Sequence, residues 1–111
     1  MKFIVDRKTW HRGQGSDDSR LLRLDKTRCL MGFVAAQCGV SDSAILDRVL
    51  ISSLSLEEQQ NFPAWMRGPD RPLEWVYWTN DKRNISDAER EQQLKGIFIA
   101  NGDEIEFVDG F

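Results

Sequence analysis

Short apolar segments flanked or interleaved by charge lie near both ends of the chain. In Lys2-Phe3-Ile4-Val5-Asp6, Phe3 and Val5 fall on one face and Ile4 on the other; in Glu104-Ile105-Glu106-Phe107-Val108, acids alternate with apolar residues. A two-residue period predicts strands over 2–6 and 104–108, with Ile105 and Phe107 turned inward. Leu73-Glu74-Trp75-Val76-Tyr77-Trp78-Thr79 is rich in β-branched and aromatic residues, so a third strand is expected over 73–79.

Longer apolar periods lie between the strands. Residues 28–38 hold almost nothing polar between Arg28 and Gln37, which predicts a helix buried nearly all round. Gly32 would let another backbone approach that helix closely, and Gly39 offers a left-handed stop. Ser41 is placed to cap a helix over roughly 42–50, with Ile45 and Val49 at helical spacing. Ser55 and Glu58 match a capping box, opening a helix that Pro63 ends. Ser86-Asp87-Ala88-Glu89 is a second capping box. Behind it Leu94, Ile97 and Phe98 share a face, Glu91 and Lys95 lie outside, and Gly102 closes the helix. The reading is a single α+β domain over 1–111. A sheet of three or more strands (2–6, 73–79, 104–108) is packed by two main helices, 28–38 and 86–100.

Composition narrows the function classes. The chain has 111 residues and a net charge of −3, too near balance to mark a duplex-DNA binder. The apolar run Cys29 to Ala36 is far shorter than the roughly 20 residues that cross a bilayer, and no secretory leader is expected. A cytoplasmic protein with no membrane association follows. With two cysteines and one histidine, neither a disulfide scaffold nor a structural zinc site is expected. Placed on one helix, Cys29 and Cys38 would fall on opposite faces and read as buried small hydrophobes. Residues 1–28 carry eight bases and four acids, whereas 101–111 carry four acids and no base. Pairing of the terminal strands would bring Lys2, Arg7 and Lys8 near Glu104 and Glu106.

No motif supplies a catalytic constellation, a cofactor site or a metal site. Arg12-Gly13-Gln14-Gly15-Ser16 is the nearest to a phosphate loop, but its spacing matches no such signature, and Asp17 and Asp18 would repel an anion, so a turn is favoured. Asn80-Asp81 reads as a turn or an Asx-type cap. The clearest surface signal is aromatic crowding: Phe62, Trp65, Trp75, Tyr77 and Trp78 are five of the eleven aromatics. A strand over 73–79 cannot turn Trp75, Tyr77 and Trp78 to one side. Either a second layer covers the other side or a ring is left for a partner. Trp65, Arg67, Arg71, Trp75, Tyr77 and Trp78 are therefore the candidate partner-binding residues.

Several short stretches, in order, carry a resemblance. They are Trp10-His11-Arg12-Gly13-Gln14-Gly15, Ser19-Arg20-Leu21-Leu22-Arg23, Cys29-Leu30-Met31-Gly32-Phe33, Cys38-Gly39-Val40, Asn80-Asp81, Glu89-Arg90-Glu91 and Glu106-Phe107-Val108-Asp109. With them the chain resembles a family of small uncharacterised proteins of phages, prophages and related mobile elements; residues 50–75 match poorly. Leu30 stands where the family usually carries the second of two adjacent cysteines. The resemblance implies a mobile-element origin and no assigned activity, so it transfers no site residue. The expected function is a non-enzymatic accessory protein that binds a host or phage protein, or a second copy of itself, through the aromatic-rich surface. The alternative is single-stranded nucleic acid, with bases stacked on the same rings and phosphates met by Arg67, Arg71, Lys82 and Arg83. A third reading is a small metal-dependent hydrolase that uses Asp81.

Overall fold

Parallel pairing of the two ends organises the chain. The computed structural model describes residues 1–67 and 71–109. Its elements run β1 Lys2–Asp6, α1 Leu30–Gln37, α2 Asp42–Ile45, α3 Leu56–Gln59, α4 Arg71–Asp81, α5 Asp87–Ala100 and β2 Glu104–Val108, with 3₁₀ turns at Ile51–Ser53 and Ala64–Met66. Phe3 lies opposite Ile105, and Val5 opposite Phe107. All four are buried, so the alternation read from the sequence sets which side of the ladder meets the core. On the outer side Lys2 Nζ lies 3.2 Å from Glu106, an exposed pair worth at most about 1 kcal/mol.

The sheet differs from expectation. Among the described residues it has two strands, because 73–79 lies within α4. Leu73, Val76 and Asn80 are buried and Tyr77 is half-buried, while Glu74, Trp75 and Trp78 are exposed. That is the i, i+3, i+4, i+7 rhythm of a helix with one face in the core. The β propensity of Trp, Val and Tyr loses to it, since propensity spans only about 1 kcal/mol and burial decides. A helix also resolves the problem a strand posed: Trp75 and Trp78 both leave the core.

Two further expectations are corrected. The helix from Ser41 stops at Ile45, because the chain there turns to meet an earlier segment. Asp47 has φ +60°, Leu46 bridges Leu22, and Leu21 N–H donates to the Arg48 carbonyl at 2.7 Å. Val49 is left exposed. On α5, Glu91 does not lie outside. It is buried and accepts two hydrogen bonds from Arg7, Nε and Nη2, each 2.8 Å. Arg7 is therefore directed to α5 and not to the acids of β2. This hydrogen-bonded pairing outweighs desolvation and raises the Arg7 pKa.

The remaining helices follow their signals. Ser86 Oγ accepts from the Glu89 N–H at 3.1 Å, and Leu94 and Phe98 fill the core. The Ser55–Glu58 capping box is formed in both directions, although α3 ends at Gln59, ahead of Pro63. Cys29 and Cys38 sit at the two ends of α1, and both are free thiols. Burial pushes the Cys29 thiol up to about 12.

Gly32 fixes how α1 packs. A Cβ there would stand 1.8 Å from the Leu21 carbonyl oxygen, which is backbone and cannot swing away. Gly96 on α5 is the contrast, with nothing within 4 Å of its added Cβ. Urea unfolding should show Gly32→Ala destabilised by about 3 kcal/mol or more, from overpacking against backbone. Gly96→Ala should gain roughly 0.5–1 kcal/mol of helix propensity. Equal effects of the two substitutions would contradict this packing.

Candidate functional site

The C-terminal end of α4 gathers segments that are far apart in sequence. Asn80 is buried there, and its Oδ1 accepts from Trp10 Nε1 at 2.7 Å and from the Leu30 N–H at 3.0 Å. Its Nδ2 donates to the His11 carbonyl at 3.1 Å and to Asp81 Oδ1 at 2.9 Å. Asn80 thus satisfies an orphan N–H at the start of α1, a role no local turn rule announces. The sequence reading placed it in a turn or a cap; it caps a different helix, fifty residues earlier.

The last carbonyls of α4 also find donors. Gly13 and Gly15 N–H groups donate to the carbonyls of Asn80 and Asp81, each at 2.8 Å. The loop reaches them with left-handed glycines, φ +71° and +80°. These two N–H groups are therefore engaged by the protein itself and do not form a backbone cradle for phosphate. Arg90, 2% exposed, donates from Nη1 to the carbonyls of Thr79 at 2.6 Å and Lys82 at 2.7 Å. A guanidinium at this end also meets the negative pole of the helix dipole.

Beside this junction lies a cavity of about 430 Å³ bordered by His11, Arg12, Gln14, Arg83, Asp87 and Arg90, among others. Arg12 stacks on Trp10, 4.6 Å from the ring centroid, and its Nη2 lies 3.1 Å from Asp87. His11 Nδ1 faces Arg23 Nη1 at 3.3 Å. Burial first, and then the Arg23 charge, lower the His11 pKa, with Asp25, Asp81 and Asp18 opposing.

The six candidate partner-binding residues divide. Trp75 and Trp78 are 55% and 60% exposed and flank an open, largely apolar groove of about 680 Å³ between α4 and α5, with Gly96, Ile97 and Ala100 on the α5 side. Tyr77 faces elsewhere: its hydroxyl accepts from the Ile51 N–H at 3.0 Å, and burial raises the phenol pKa. Trp65 packs edge-on against Phe98, 5.1 Å between centroids, and its Nε1 donates to Asp103 at 2.7 Å. Arg67 Nη1 donates to Gln60 at 2.8 Å. The Arg71 side chain lies outside the described residues.

Sequence reasoning missed Asn80 and Arg90 as the junction's centre. Asn80 acts on partners fifty and seventy residues away, and Arg90, whose acceptors lie within eleven residues, is a buried Arg with no local signature. Asp81, the residue considered for metal chemistry, accepts from Asn80, and among the described residues no group of three or more His, Cys, Asp or Glu could hold a metal ion. No described helix is long and apolar enough to cross a membrane.

The direction of the His11 shift fixes a pH dependence. With its folded pKa below the ordinary 6.5, the unfolded chain takes up a proton first as pH falls. The stability linked to neutral His11 is thus complete above that value and is lost as pH drops from it through the lower folded pKa. Measured by urea unfolding from about pH 7.5 to pH 5, the wild type should lose stability faster than His11→Gln. Parallel pH profiles would contradict the assignment.

Compared with known protein families, curated proteins and solved structures, the chain matches none.

Proposed function

We propose that this chain is a non-enzymatic binding protein that docks a protein partner on the α4–α5 face. One observation carries the reading: two tryptophans one helical turn apart, Trp75 and Trp78, leave more than half their surface in solvent beside an apolar groove. Tryptophan is the side chain that most often dominates an interface, because one ring buries a large apolar area at small entropic cost. Gly96 and Ala100, four residues apart on α5, keep the opposite wall low, so an incoming side chain can lie against both indoles. The mobile-element resemblance supplies the setting, an accessory protein acting on a host or phage protein. The compartment is the cytoplasm, where free thiols such as Cys29 and Cys38 stay reduced.

A second reading has its own observation. Lys82 Nζ stands 4.6 Å from the Trp78 ring centroid, and Trp78, Lys82 and Arg83 border one depression. A ring beside two cations is the arrangement that stacks a base and meets its phosphate.

The test compares recovery of binding proteins by wild type, Trp75→Ala, Trp78→Ala and, as an exposed control away from the groove, Leu24→Ala. The tryptophan variants should keep wild-type stability to within about 0.5 kcal/mol, as surface substitutions do. Their partner affinity should fall by about 30-fold or more, the loss of a 2 kcal/mol hot spot. Equal recovery by all four proteins would overturn the reading. Salt-sensitive binding to a single-stranded oligonucleotide, lost in Trp78→Ala, would replace it with the second.

A further inference from the structure

We propose that the cavity beside the α4–α5 junction is a binding site for a phosphate monoester, separate from the tryptophan face. Its border carries three guanidinium groups, Arg12, Arg83 and Arg90, against one carboxylate, Asp87, a local charge of +2 in a chain of net charge −3. Two other depressions among the described residues differ. The one around Asp18, Arg20, Arg23, Asp25 and Asp47 has more acids than bases, and the one around Glu74, Asp81, Lys82 and Arg83 is balanced. A phosphate monoester carries about −1.5 to −2 at neutral pH, which matches this excess.

Three donors at the border lack acceptors. Arg83 makes no hydrogen bond or ion pair among the described residues; its guanidinium rests against Gly15, where an added Cβ would come within 2.7 Å of Nη2. Arg90 Nε is buried without a hydrogen bond, its nearest anion being Asp87 at 3.5 Å. The third is His11. Arginine only donates, so the Arg23 contact assigns Nδ1 as acceptor and puts the ring proton on Nε2. That Nε2 is buried and has no partner. A buried donor without an acceptor costs about 1–3 kcal/mol, a cost an oxyanion would remove once a side-chain shift opened that donor to the cavity. The donors are side chains, since the Gly13 and Gly15 N–H groups already serve α4. Asp17 and Asp18, expected from the sequence to repel an anion, do not line this cavity, although the charges of Asp18, Asp25 and Asp81 reach His11 at its border. At about 430 Å³ it has room for a phosphate with a small organic group attached.

The experiment titrates ¹⁵N-labelled protein with inorganic phosphate, adenosine 5′-monophosphate, adenosine, and sodium chloride at matched ionic strength. Phosphate and the nucleotide should shift the Gly13–Gly15 amides saturably and leave the Trp75 and Trp78 indoles unmoved. At about ten times Kd they should raise the unfolding midpoint by about 5 °C. Adenosine and chloride should do neither. A larger effect of the nucleotide than of phosphate identifies an organic phosphate as the ligand; equal effects identify the free anion. Arg83→Gln, an exposed change that leaves the junction intact, should weaken binding by at least about fivefold. No saturable shift, an equal response to chloride or adenosine, or wild-type binding by Arg83→Gln would overturn the site.

Discussion

One buried carboxamide determines how this chain presents itself. Asn80 joins the start of α1, the Trp10–His11 loop and the end of α4 through hydrogen bonds of 2.7 to 3.1 Å. An unpartnered polar group there would be costly, so α4 is held in the one rotation that keeps Asn80 inside. Rotation of a helix moves every residue on it together. With Asn80, Val76 and Leu73 inward, Trp75 and Trp78 must face out. The exposed aromatic pair is thus a consequence of an interior polar demand, not of a failure to bury hydrophobic surface.

Arg90 completes the arrangement from α5. Its positive charge and its donors meet carbonyls that the end of α4 leaves open, while Arg7 and Glu91 join the same helix to the segment after β1. Buried charged groups of this kind tolerate little displacement, because losing one partner strands the other. The binding surfaces lie around this fixed junction. Trp78 borders both the apolar groove and the depression beyond it, and Arg83 borders that depression and the cationic cavity. Aromatic and cationic surface therefore meet at the last turn of α4.

Much of the fold was legible where local rules decide. The apolar positions at 2–6 and 104–108 and the caps at Ser55 and Ser86 act within a few residues, while Gly32 signals a close approach without saying that Leu21 makes it. The failure at 73–79 was one of period. Bulky β-formers masked Leu73, Val76, Tyr77 and Asn80, whose spacing is helical once Asn80 counts as an inward residue. Nothing local says that an Asn belongs inside: its partners Trp10 and Leu30 are seventy and fifty residues away. Glu91 misled for the same reason, since its partner Arg7 lies at the other end of the chain. Of the candidate site, residue type marked Trp65, Trp75, Tyr77 and Trp78 alike, and the fold, not the sequence, separates the exposed Trp75 and Trp78 from the packed Trp65 and Tyr77. The cationic cavity depends on residues brought together from three segments.

Exchange of the tryptophan indole protons tests the central claim most directly, because one ¹H–¹⁵N experiment reads both sides of α4. If Asn80 sets the rotation of the helix, the Trp10 indole proton exchanges only on global unfolding, while those of Trp75 and Trp78 exchange at nearly free rates. A Trp10 indole that exchanges as fast as theirs, or protected Trp75 and Trp78 indoles in the isolated protein, would contradict the account.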